Sequence, residues 1–294
     1  MPTLTSPTAR VEIAALGAEL TSFVSLTTRL EYLWQADPAY WGRHAPLLFP
    51  IVGRLPDDTY LHHGQAYKLP QHGFARDHEF QLIGQDAHSL TFQLLHSAAS
   101  LAVFPFEFEL RVRYELHGSI LRVGWHVRNP AAASQDLLFS LGAHPAFRCP
   151  LRPEVGEHFA DYAFHFDHPV TLQRQLLHGG LRSGETAPVL TEQAVLPLTY
   201  ELFADDALVF GHFDFTRLAL RRADGTGPCV RVQFDGFPYL GLWTKGPGAG
   251  FVCIEPWQGV ASPVGPVQEL RDKEGILTLR PSEVFEASYV VEVG

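Results

Sequence analysis

An all-β domain of antiparallel strands in two packed sheets, with very little helix, is the architecture this sequence predicts. Three features carry that expectation. Short apolar or alternating runs recur from end to end, Gly, Pro, Asp and Asn punctuate them, and 3.6-residue periodicity is scarce. Val11 to Ala15 opens the series, and Asp37 to Trp41 has room for one helical turn. Ser89 to His96 and Phe104 to Leu116 follow. In the second of these, charged and apolar residues alternate from Phe106 onward, so one face is wet and the other buried. Ile120 to Arg128 pairs back across His117-Gly118-Ser119, a connection of hairpin length. Leu137 to Leu141, Ala207 to Phe213, Arg217 to Arg221, Cys229 to Phe234, Tyr239 to Thr244, Ile276 to Arg280 and Phe285 to Val293 complete the strands. Leu190 to Leu196 is a short segment of undetermined type. No linker, charge block or repeat divides the chain, so residues 1–294 read as one domain with loops at the sheet ends and a concave face on one sheet.

A net charge of −10 and only three lysines (Lys68, Lys245, Lys273) argue against nucleic acid as a partner, because phosphate backbones are bound by clustered cations. A local group of arginines can still hold one phosphate on a small metabolite. Cys149, Cys229 and Cys253 are odd in number and lack the close pairs of a zinc site, which reads as reduced thiols in a cytoplasmic protein. Met1 to Arg10 has neither a basic start nor an apolar run, and no stretch has the length of a membrane span, so secretion and membrane insertion are not expected.

Three stretches frame reactive groups. In Gly142-Ala143-His144-Pro145-Ala146-Phe147, the proline pushes His144 toward an extended conformation, projecting the imidazole from a strand end or turn. With 15 histidines in the chain, the ordinary reading of any one is a solvated or satisfied residue. Gln71-His72-Gly73-Phe74-Ala75-Arg76 gathers an amide, an imidazole and a guanidinium around a glycine that permits a tight turn. In Cys253-Ile254-Glu255-Pro256-Trp257-Gln258-Gly259 an apolar strand is expected to end at Pro256, with Glu255 at its mouth. Desolvation there raises a carboxylate toward general-base range, while the structural alternative is a strand-end carboxylate paired with an arginine. Arg54, in Phe49-Pro50-Ile51-Val52-Gly53-Arg54-Leu55, and the acidic pair Asp205-Asp206 are further candidates.

No two of these positions have metal-ligand spacing, and serine-nucleophile, phosphate-loop and dinucleotide signatures are missing, so metal hydrolysis and serine chemistry are not expected. Asp57-Asp58 with His62-His63 is the nearest approach to a ligand cluster and reads as a solvated hairpin loop. What remains is one carboxylate, one or two imidazoles and several planar hydrogen-bonding groups, a set suited to proton transfer on a polyol. Trp257, Trp243 and Phe74 offer apolar surface for a sugar ring.

The FPIVGRL run ending at Leu55, QHGFAR from Gln71 to Arg76, GAHPAF around His144 and CIEPWQG around Glu255, in that order, resemble the aldose 1-epimerase (galactose mutarotase) superfamily. The likeness is to the branch of LacX-like proteins and to hexose-6-phosphate mutarotases. It spans positions 49 to 259 and implies a β-supersandwich with the sugar in a groove on one sheet and no metal or organic cofactor. The resemblance implies Glu255 as general base on the anomeric hydroxyl and His144 as general acid on the ring oxygen. It also implies sugar contacts from Arg54 and His72, substrate contacts from Gln71 and Arg76, and an aspartate contact for which Asp206 is the nearest counterpart and Asp205 the alternative. An ion pair of Arg76 with Asp77 or Glu79 is its structural alternative. The expected ligand is a free or phosphorylated sugar, and the expected assembly a monomer or homodimer. Two rivals stand beside this reading. One is a carbohydrate-binding or regulatory protein that keeps the groove without turnover. The other is a glycoside hydrolase using Asp206 as a second carboxylate.

Overall fold

The computed structural model describes residues 1–132 and 135–294. Fifteen of the strands join one antiparallel sheet. From one edge it runs through Leu47–Leu48, Gly142–Ala143, Phe251–Trp257, Tyr239–Trp243, Leu208–Gly211, Tyr162–His178, Arg217–Arg222 and Val230–Gln233. It continues through Val284–Val293, Ile120–Arg128, Glu109–His117 and Ser89–Leu95 to Gln81–Gln85. The two expected layers are therefore hydrogen-bonded into one continuous sheet that folds back over a shared core. Phe49, beside the first edge strand, packs 5.1 Å from Phe108 and 6.3 Å from Phe104, next to a strand near the other edge. A single apolar cluster runs through both layers. The supersandwich expectation holds.

The alternating run settles as Glu109–His117, its apolar residues inward, and pairs with Ile120–Arg128 through the two-residue turn Gly118-Ser119. The two longest strands lie outside the strand runs that the sequence shows. Tyr162–His178 and Leu181–Pro197 form a 17-by-17-residue hairpin, which absorbs the undetermined segment Leu190 to Leu196. Only its root, Tyr162 to Phe166, is continuously buried, whereas its outer part is largely exposed on both faces. Such strands need no apolar alternation, and the hairpin carries bulges and three prolines, so nothing in its pattern marks it. Asp37 to Trp41 forms one hydrogen-bonded turn, the amides of Tyr40 and Trp41 donating to the Asp37 carbonyl at 3.0 and 2.9 Å.

One α-helix occurs among the described residues, Ala98–Val103, capped reciprocally by Ser97 and Ser100. His63-Gly64, both at positive φ, make the tight turn of the solvated hairpin Thr59–His62 to Gln65–Lys68. No helix among the described residues is long and apolar enough to cross a membrane. All three cysteines are free and buried.

The strand carrying Glu255 does not stop at Pro256 but continues to Trp257. The amides of Ile254 and Gln258 donate to the carbonyls of Pro145 and Leu141 on the neighbouring chain, at 3.2 and 2.8 Å. Pro256 takes the position between them, where that chain bends at His144-Pro145 and no ladder donor is needed. The same bend turns His144 out of the ladder.

Candidate active site

A groove of about 370 Å³ opens on one face of the sheet, and His144 and Glu255 lie at its bottom. Glu255 rises from the middle of Phe251–Trp257, opposite Gly241, and is 1% exposed. His144 sits in the gap between Gly142–Ala143 and Ala146–Arg148, anchored by its amide to the Pro46 carbonyl at 3.2 Å. Its Nε2 lies 3.1 Å from Glu255 Oε2. The contact lacks hydrogen-bond alignment, and Oε2 has no hydrogen-bond partner. The two groups thus aim at a common volume rather than at each other. The alternative of an arginine partner for Glu255 is not what the fold builds.

Burial, reinforced by the Asp206 charge, pushes the Glu255 carboxyl well above the usual carboxylate range. Burial pushes the His144 imidazole down, with the Arg76 and Arg43 charges adding to it. Both effects favour an uncharged pair in the empty groove. Aromatic rings clamp the imidazole: Trp41 stacks on it with centroids 4.8 Å apart, and Trp243 and His72 meet it edge-on, each at 5.7 Å.

The floor is the Trp257 indole, which lies over Gly142 on one neighbouring strand and Gly241 on the other. A Cβ on Gly241 would stand 2.5 Å from Trp257 Cζ2, and one on Gly142 would stand 2.6 Å from Cδ1. His72 reaches the groove from a strained turn with φ of +68°. Its amide donates to the Gly53 carbonyl at 3.0 Å, and its Nδ1 accepts from the Gly53 amide at 3.2 Å. Gly73 is obligatory in that turn, since a Cβ would come 2.3 Å from the Phe49 carbonyl oxygen. With Nδ1 occupied as an acceptor, the ring proton sits on Nε2, and the Gln71 side-chain amide 3.2 Å away must turn its oxygen to accept it. Burial and the neighbouring His144 hold the ring neutral, a hydrogen-bond donor rather than a cation.

Gln71 and Arg76 line the groove with His72. Arg76 is held by a 2.6 Å hydrogen bond to the Gln71 carbonyl, and Asp77 stands off at 3.9 Å because Arg43 takes that carboxylate at 2.8 Å. Burial and Arg43 lower the Arg76 guanidinium to about 10, which leaves it charged at neutral pH. Asp206 lines the groove, whereas Asp205 turns away to Arg174 at 2.9 Å. Arg54 stands at the edge of the groove, its side chain beside the lining residue Gly180. It braces the tip of the long hairpin, donating to the Gly179 carbonyl at 3.2 Å and pairing with Asp58 at 3.3 Å.

Phe74 also belongs elsewhere, in the core against Phe49, Phe104 and Phe108. Tyr40, Trp41, Lys245 and the hairpin-tip residues Leu177 and Gly180 also line the groove; of these, Tyr40, Trp41, Leu177 and Gly180 had no sequence signal as site residues.

Residues 2–196 match the family model described as aldose 1-epimerase. The chain is 35% identical over 292 residues, 96% of each chain, to a protein named LacX, chromosomal, from Lactococcus lactis subsp. lactis. It superposes with TM-score 0.93 and 34% identity on a galactose mutarotase related enzyme from Lactobacillus acidophilus, covering 100% of this chain and 97% of the other. A galactose mutarotase-like protein from Lactobacillus casei matches with TM-score 0.92 and 30% identity over the whole of both chains.

Proposed function

The chain belongs to the aldose 1-epimerase family, and on that premise we propose that it is a mutarotase, interconverting the α and β anomers of an aldohexose or hexose 6-phosphate. The observation that carries this reading is the buried His144–Glu255 pair, 3.1 Å apart at the bottom of the groove and aimed at one volume. Ring opening needs a base at the anomeric hydroxyl and an acid at the ring oxygen. Both oxygens sit on the same carbon, so two converging groups suffice.

In this mechanism the shared proton passes from the Glu255 carboxyl to His144, so that Glu255 as carboxylate takes the proton of the anomeric hydroxyl while His144 protonates the ring oxygen, and the bond from C1 to the ring oxygen breaks. Rotation about the bond from C1 to C2 and closure on the other face give the opposite anomer, with the two groups exchanging proton roles. The Trp257 indole supplies the apolar floor for the sugar. His72 Nε2–H, Gln71, Arg76 and Asp206 supply directional contacts to its oxygens. The pair carries no net charge whether its one shared proton rests on the carboxyl or on the imidazole. Water exclusion by the bound sugar therefore does not force either group to give up a counter-charge.

The test is polarimetry on freshly dissolved α-D-glucose and α-D-galactose. The protein is expected to accelerate equilibration, and Glu255→Gln to remove about 10² to 10⁴ of that acceleration while sugar binding persists. An unchanged rate in Glu255→Gln sinks the assignment. Binding without acceleration in the unaltered protein would instead favour a carbohydrate-binding role.

A further inference from the structure

Cys253 is two residues before Glu255 on the same strand, so the two side chains share a face. One donor atom from each of His144, Cys253 and Glu255 lies within 4.8 Å of the other two, and all three residues are buried. From this clustering we infer that the acid–base pair is also an inhibitory site for a thiophilic divalent transition ion such as Zn²⁺ or Co²⁺, ligated by His144, Cys253 and Glu255.

Zinc bonds of about 2.0–2.1 Å to nitrogen and oxygen put tetrahedral ligand atoms roughly 3.3 Å apart, and His144 Nε2 and Glu255 Oε2 are already 3.1 Å apart. The thiol, with a metal–sulfur bond of about 2.3 Å, completes the set by closing at most about 1 Å. Glu255 Oε2 is buried without a hydrogen-bond partner, and it and the imidazole converge on one point without bonding each other. A soft sulfur, an imidazole and one carboxylate match the preference of zinc, whereas calcium and magnesium require all-oxygen shells.

The fourth position faces the groove and takes water, so the ion and the sugar compete for the same volume. Coordination sends both the thiol proton and the proton shared by His144 and Glu255 to solvent, and it engages both groups that ring opening needs. The ion is an inhibitor here, and Cys253 has no part in the proton transfers.

Cobalt titration of the chelator-treated protein tests the site directly. A near-ultraviolet thiolate-to-cobalt charge-transfer band is expected in the unaltered protein and is lost in both Cys253→Ala and Cys253→Ser, the second keeping volume if the first packs poorly. In polarimetry, zinc is expected to inhibit competitively with sugar and reversibly with chelator. Both variants should keep turnover within about threefold and need at least about a hundredfold more zinc for the same inhibition, since even outer-shell changes cost 10–100-fold in affinity. No band in the unaltered protein, or a band or inhibition that survives both substitutions, overturns the site. The inhibition arm rests on the mutarotase reading, but the cobalt spectrum needs no turnover and reports on the site even if that reading fails.

Discussion

Gly241→Ala probes whether the indole floor sets the depth of the groove. No positive φ is required at Gly241, so alanine is acceptable to the backbone and the effect is one of space alone. The added Cβ would lie 2.5 Å from Trp257 Cζ2 and 2.6 Å from Cη2. Ordinary carbon contact is about 3.5–4 Å, so the ring must move by about 1 Å. The sheet lies beneath it, and the open direction is into the groove. Overpacking of this kind costs about 1–3 kcal/mol, which for a chain of this size lowers Tm by roughly 2–5 °C. A 1 Å displacement of a substrate-positioning surface costs about a hundredfold in rate, or roughly 2.7 kcal/mol. Polarimetric kcat/KM and thermal unfolding followed by near-ultraviolet circular dichroism measure the two effects separately. A variant with an unchanged kcat/KM and an unchanged Tm would refute the rigid floor. A lowered Tm with full activity would show that Trp257 does not position the sugar.

Other substitutions separate the remaining roles. Arg76→Ala is expected to reduce turnover of 6-phosphorylated hexoses about a hundredfold, roughly 2.7 kcal/mol, with free hexoses nearly unaffected; equal losses on both would exclude a phosphate contact. Asp206→Asn should raise KM about tenfold, the low end for a hydrogen bond to a charged group, whereas Asp205→Asn, whose carboxylate is held by Arg174, should leave KM unchanged. The reverse ranking would reassign the contact. Lys273 is 3% exposed and donates to the Val260 carbonyl. Burial, with Arg182 adding to it, pushes its ammonium from 10.5 down to about 7. Between those values the unfolded chain binds more protons than the folded one, so the penalty of the buried charge is full below pH 7 and fades as pH rises toward 10. The stability of Lys273→Met relative to the unaltered protein should therefore be about 2–5 kcal/mol more favourable at pH 6 than at pH 10. Urea unfolding at both values checks this, and a pH-independent difference would contradict it.

The alternation from Phe106 to Leu116, the His117-Gly118-Ser119 turn and the apolar run before Glu255 were legible because each is a local pattern with one wet and one buried face. The hairpin Tyr162–His178 with Leu181–Pro197 was not, because exposure on both faces of its outer part erases alternation. The end expected at Pro256 failed for a related reason. A proline stops a strand only if the neighbouring chain offers an acceptor opposite it, and here that neighbour bends away at His144-Pro145. Arg54 and Phe74 had suitable chemistry in suitable motifs, yet Arg54 stands at the edge of the groove and the core takes Phe74. Trp41 carried no motif at all and became the face on which His144 stacks.

Composition, periodicity and the four motifs by themselves pointed to an antiparallel β protein of the aldose 1-epimerase family and singled out His144 and Glu255 as candidates for its chemistry. Those are consequences of local residue pattern and of chemical type. Only the tertiary structure decided that the two layers are one sheet, that Asp206 rather than Asp205 lines the groove, and that Cys253 stands beside His144 and Glu255. These are distances between segments far apart in the chain, and they follow from how the whole core closes over Phe49, Phe104 and Phe108. No local preference encodes that closure.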